Sequence, residues 1–122
     1  MNILNNYKVQ FGIKKFFNDD FEFISTVNDS LSAFIWGADS VSRANQLLDS
    51  ANRALSNPNP NSTTTYPAQS MMLVVIKKTT TRIYDEMDNY ENPNHTPDFE
   101  LPTSDFKVIV EAWRDYLVSR GK

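Results

Sequence analysis

Phe21-Glu-Phe-Ile-Ser-Thr-Val-Asn-Asp-Ser-Leu-Ser-Ala-Phe-Ile-Trp-Gly37 is the stretch whose reading decides the fold. Phe21, Phe23, Ser25 and Val27 alternate with Glu22, Ile24 and Thr26, the period of a strand. Asn28-Asp29-Ser30 is a turn signal, because short polar side chains hydrogen-bond the nearby backbone. Leu31–Trp36, apolar and stopped by Gly37, then reads as a further strand hairpinned to the first, with a helix through the stretch as the competing reading. Upstream, Tyr7, Val9, Phe11 and Ile13 alternate with Lys8, Gln10, Gly12 and Lys14, another strand with one wet face, and Asn18-Asp19-Asp20 marks the turn between them.

Downstream, Asp39 and Ser40 are good helix caps. Val41, Ala44, Leu47, Leu48, Ala51, Ala54 and Leu55 recur at helical spacing, which predicts an amphipathic helix over 40–56 that stops at Asn57-Pro58. Residues 56–68 are a polar, Pro- and Asn-rich loop. Met71–Ile76 reads as a buried strand, Lys77–Thr80 as a turn, and Thr81, Ile83 and Asp85 as alternate positions of a fifth strand. Residues 88–102 are turn-rich. Phe106, Ile109, Val110, Trp113, Tyr116 and Leu117 then share one helical face, capped by Thr103 or Ser104, with Asp105 in the first turn. The order βββ-α-ββ-α predicts an α+β fold: an antiparallel sheet of about five strands with both helices on one face, in a single domain spanning 1–122.

The composition of the 122 residues narrows the chemistry. No cysteine is present, which excludes disulfides, thiolate metal sites and Cys nucleophiles, and there is one histidine. Three glycines leave no phosphate-cradling loop. A net charge of −3 argues against direct nucleic-acid binding. Met1–Lys8 lacks the apolar core of a secretion signal, and the longest apolar run, Met71–Ile76, is six residues against the ~20 that cross a bilayer. A soluble cytoplasmic protein is expected. Trp36, Phe106 and Trp113 are expected in the core.

The charge is unevenly placed. Residues 84–105 hold seven of the fifteen acids (Asp85, Glu86, Asp88, Glu91, Asp98, Glu100, Asp105) and none of the twelve bases. Tyr84, Tyr90, His95 and Phe99 are interleaved with them. Asp19, Asp20 and Glu22 form a second acidic group, with no base between Lys15 and Arg43. Acids that steer encounter, beside aromatics that anchor a desolvated centre, suit a basic protein partner. The plainer reading is a solvated acidic loop that maintains solubility. No Asp-x-Asp-x-Asp-Gly pattern favours calcium, so no metal or other cofactor is expected. No apolar setting separates the carboxyl pKa values for acid–base work.

The C-terminal half carries Met72-Leu-Val-Val-Ile76, Arg82-Ile-Tyr-Asp85, an acidic Asn/Pro loop, and Leu101-Pro-x-x-Asp105-Phe-x-x-x-Val-x-x-Trp113-x-x-Tyr116-Leu117. In this layout, over roughly residues 70–120, the chain resembles the small acidic immunity proteins of bacterial contact-dependent growth inhibition, a polymorphic toxin system. The resemblance implies a cytoplasmic, non-enzymatic inhibitor that binds a cognate toxin domain, a basic nuclease being the apt target, and covers its active-site cleft as a monomer in a 1:1 complex. No site residue carries over from the family. On charge alone the expected contact residues are Tyr84, Asp85, Glu86, Asp88, Tyr90, Glu91, His95, Asp98, Phe99 and Glu100, with Asp19, Asp20 and Glu22. The competing readings are a small ligand-binding domain or enzyme that uses His95 with nearby carboxylates, and an oligomerisation module that pairs through the 71–83 hairpin.

Overall fold

The computed structural model describes residues 2–67, 72–86 and 96–122. The deciding stretch divides: residues 21–25 lie in a strand, as expected, and the competing helical reading is realised only in the second half. Asp29–Trp36 is a helix, α2 in chain order, rather than a strand. Asn28 is its cap: the side-chain Oδ1 accepts from the Leu31 amide at 3.0 Å. Thr26 and Ser32 brace the entry, their hydroxyls 2.8 Å apart. Leu31, Phe34 and Ile35 are buried, the i, i+3, i+4 stripe of a core-facing helix. In a short apolar run, periodicity alone does not separate strand from helix, and the cap decides.

A single turn of helix, α1 (Ile3–Asn6), precedes β1 (Gln10–Phe16) and β2 (Asp19–Ser25). These two strands form an antiparallel hairpin with Phe16 opposite Asp19. Its turn is therefore Phe17-Asn18, one place earlier than Asn18-Asp19-Asp20 suggests. Both residues are left-handed, with φ of 51° and 70°, as a two-residue hairpin with right-handed strand twist requires. Beyond α2, α3 (Val41–Ser56) starts at Ser40, whose hydroxyl accepts from the Arg43 amide.

The second sheet comprises β3 (Thr64–Pro67), β4 (Leu73–Ile76), β5 (Thr80–Tyr84) and β6 (Phe99–Pro102), in that spatial order and all antiparallel. β3 lies in the tract expected to be a loop, and β6 in the one expected to be turns. Among the described residues, six strands in sheets of two and four thus replace the single sheet of about five. Four helices among the described residues replace two, although the α+β class holds. The last helix, α4 (Thr103–Ser119), follows β6 directly. Neither Thr103 nor Ser104 caps it. Pro102 occupies that position, and the buried Thr103 hydroxyl instead donates to the Lys77 carbonyl and lies 2.9 Å from the Thr81 hydroxyl.

The main core joins Val74, Ile76, Ile83 and Leu101 on one face of the four-stranded sheet to the buried stripes of α2, α3 and α4. At its centre lies Trp113, fully buried, with its Nε1 donating to the Ala38 carbonyl at 2.8 Å. The two-stranded hairpin is fastened to α4 by Phe11, which stacks on Tyr116 at 5.0 Å between ring centroids and lies 6.0 Å from Trp113. Leu73, Val75 and Tyr84 form a smaller cluster on the opposite sheet face. No helix among the described residues is long and apolar enough to cross a membrane.

Candidate functional site

The expected acidic surface at 84–105 divides once folded. Tyr84 is buried with Leu73 and Val75, and Phe99 is half-buried against the main core, so neither is an exposed anchor. β5–β6 pairing sets Arg82 directly opposite Glu100, and the guanidinium and carboxylate meet at 2.7 Å. Asp105 accepts the Tyr7 hydroxyl at 2.8 Å. Burial, and then this bond to a carboxylate, push the Tyr7 phenol up to about 12. The Asp98 carboxylate accepts the Asp85 amide at 2.8 Å, closing the open end of the β5–β6 pair. Asp85 and Glu86 remain exposed. Asp88, Tyr90, Glu91 and His95 lie outside the described residues, so the reading built on His95 lies there too.

The second acidic group has a defined setting. β2 carries Asp19, Asp20, Phe21 and Glu22 along one wall of a cleft of about 840 Å³. Trp36 and Asp39 form a second wall, and Trp113, Leu117, Arg120 and Lys122 line the side toward α4. Glu22 is turned inward and buried. Its carboxylate oxygens lie 3.3 Å from Arg120 Nε and 3.6 Å from Lys122 Nζ. It is thereby a fastening between hairpin and α4, not a group presented to a partner. Asp39 pairs with Arg43 at 2.6 Å. Asp19 and Asp20 are exposed, and among the described residues neither enters an ion pair.

Trp36, expected in the core, stands 46% exposed, and Phe21 is 45% exposed. The indole is held in place because Nε1 donates to the Glu22 carbonyl at 2.8 Å. The two rings also line a neighbouring apolar slot of about 320 Å³, with Lys14 and Lys15 as its other lining. Two large aromatics, one of them fixed by a hydrogen bond, thus stand beside two exposed carboxylates that enter no ion pair among the described residues, Asp20 lying across the hairpin from Lys15. This is the anchor-and-rim composition of protein interfaces. Once α2 is read as a helix, the signal for Trp36 is present in the sequence. Leu31, Phe34, Ile35 and Ala38 define the buried stripe, and position 36 falls off it.

The arrangement offers binding chemistry. Among the described residues no group of three or more His, Asp or Glu side chains is placed to hold a metal ion. Comparison with protein-family models, with curated proteins and with solved structures finds no match.

Proposed function

We propose that this protein is an immunity protein that binds and neutralises a cognate toxin domain, a basic nuclease, by laying an acidic and aromatic surface over its active-site cleft. The observation that carries this reading is the juxtaposition of exposed Trp36 and Phe21 with exposed Asp19 and Asp20, which enter no ion pair among the described residues, at one cleft. Large apolar rings at a solvent-facing cleft wall gain free energy when a partner covers them. Exposed carboxylates beside them accelerate encounter with a positively charged surface and fix its register. A nuclease cleft built for phosphates supplies that positive surface. Asp85 and Glu86 add to the negative field from the end of β5, while Glu22, Tyr84 and Phe99 act in the fold.

The test is direct. A large reading frame immediately upstream with a variable, basic C-terminal domain would supply the candidate toxin, and association with that domain is measured at two ionic strengths. Asp19→Lys with Asp20→Lys should slow association by roughly tenfold or more and flatten its salt dependence. Trp36→Ala should act on dissociation and weaken binding by about 2 kcal/mol. Unchanged association rates and salt dependence in the double lysine variant would refute the electrostatic role of this surface.

A further inference from the structure

The outer edge of β1 is open, and its geometry selects its own partner. The Trp36 indole donates to the Glu22 carbonyl, so that carbonyl points away from β1. Ile13, opposite Glu22, therefore sits in a pair that exchanges no hydrogen bonds across the hairpin, and its own N–H and C=O point to the outer edge. Phe11 and Lys15, two residues to either side, present theirs the same way. β1 pairs with β2 alone among the described strands. The open run ends where α1 begins, because the Val9 amide already donates to the Leu4 carbonyl at 2.9 Å. What remains is a short edge symmetric about Ile13, whose side chain is 43% exposed.

We infer that β1 pairs antiparallel with β1 of a second copy about a two-fold axis at Ile13, joining the two hairpins into one four-stranded sheet. The charges favour this register. It sets Ile13 against Ile13, Lys15 against Phe11 and Lys14 against Gly12, so no like charges face each other. A register centred one residue later opposes Lys14 to Lys14, which is destabilising. A lysine across from an aromatic ring is attractive. A two-stranded ribbon is marginal in water, and toward its tip Ile13, Lys14 and Lys15 on one strand and Asp19, Asp20 and Phe21 on the other are exposed. Phe17 supplies an independent observation. It holds φ at 51° with its side chain 84% exposed, a costly conformation for a bulky residue at a position that asparagine or glycine fills without strain. In the two-fold register the hairpin tip reaches the Leu4–Val9 turn of the second copy, where the ring is covered by half-buried Leu4 and Val9. The cleft-bearing side of β2 stays accessible, so the toxin complex becomes 2:2 instead of the expected 1:1.

The experiment uses the full chain alone, so its outcome is separate from toxin binding. Light scattering over the micromolar range should give twice the 14.0 kDa chain mass. Ile13→Lys should give the single-chain mass with an unchanged circular dichroism spectrum. Phe17→Asn, which suits the left-handed turn and keeps the hairpin foldable, should shift the equilibrium toward monomer. Because the chain has no cysteine, Ile13→Cys can be oxidised on its own. It should form a covalent dimer at least about tenfold faster than Val118→Cys on the exposed face of α4, since pairing raises the local thiol concentration. A single-chain mass for the unmodified protein, or equal oxidation rates for the two cysteine variants, overturns the dimer. A dimer that survives both Ile13→Lys and Phe17→Asn overturns this edge as its interface.

Discussion

Single residues around the hairpin carry more than their chemistry suggests. Gly12 lies under the Phe23 ring: a Cβ there would sit 2.6 Å from Phe23 Cε1. The missing side chain lets the aromatic cover the strand, and the ring in turn carries Lys14, whose ammonium stands 4.8 Å from its centroid. Gly12→Ala should therefore swing Phe23 away from the strand and release Lys14, at a cost of about 1 kcal/mol. The cost is modest because the half-buried ring has solvent to move into. A lowered urea midpoint with an unchanged slope, together with a shifted Phe23 ring resonance, checks it. Gly12 reads as one more wet-face position of the strand until its cross-strand partner is known. Trp36 was misplaced for a related reason. An apolar residue in a six-residue run looks like core, and only the helical turn moves it off the buried stripe.

At the level of elements, caps outweighed composition. Asn28 and Ser40 start α2 and α3 through side-chain oxygens that accept from backbone amides. The one at 40 was legible because a long amphipathic pattern follows it, whereas the one at 28 precedes only eight helical residues. α3, α4, β2, β4 and β5 were readable from periodicity. β3 and β6 were not, because four-residue strands of Thr, Tyr, Pro, Phe, Glu and Leu have too little pattern to stand out from loops. α1 is joined to α4 by the bond from the Tyr7 hydroxyl, just past the end of α1, to Asp105 in the first turn of α4. The Tyr7 phenol loses its proton near 12 in the folded chain against 10.0 ordinarily. The folded state thus holds this proton more tightly than the unfolded state. The corresponding stability is complete below pH 10 and is lost as pH rises through 10 toward 12. Tyr7→Phe should lower stability at neutral pH, through loss of the bond to Asp105, and should flatten the decline over that alkaline window. Denaturant midpoints at a series of pH values measure both effects.

Across the whole molecule, the hairpin and the end of α4 are tied by Glu22, Arg120 and Lys122. Removing both cations, Arg120→Ala with Lys122→Ala, should leave a buried carboxylate uncompensated and cost about 2 kcal/mol. The cost is less than for a deeply buried pair, since the two cations are 40% and 42% exposed. Thermal unfolding reads the loss, and Glu22→Gln in the same background should recover part of it. The sequence by itself determined the α+β class, the two long helices, the central strands of the larger sheet and the core face of α4. Each of these follows from local periodicity and from the number of apolar side chains that must be buried. Only the tertiary structure decided which acids face solvent. Asp19 and Glu22 are three residues apart in the same strand, yet one is exposed and the other lies buried against two cations nearly a hundred residues away in the chain. Arg82 opposite Glu100 is the same lesson across a sheet. Charge summed along a chain describes a field, whereas pairing across strands and between helices selects the charges left to meet a partner.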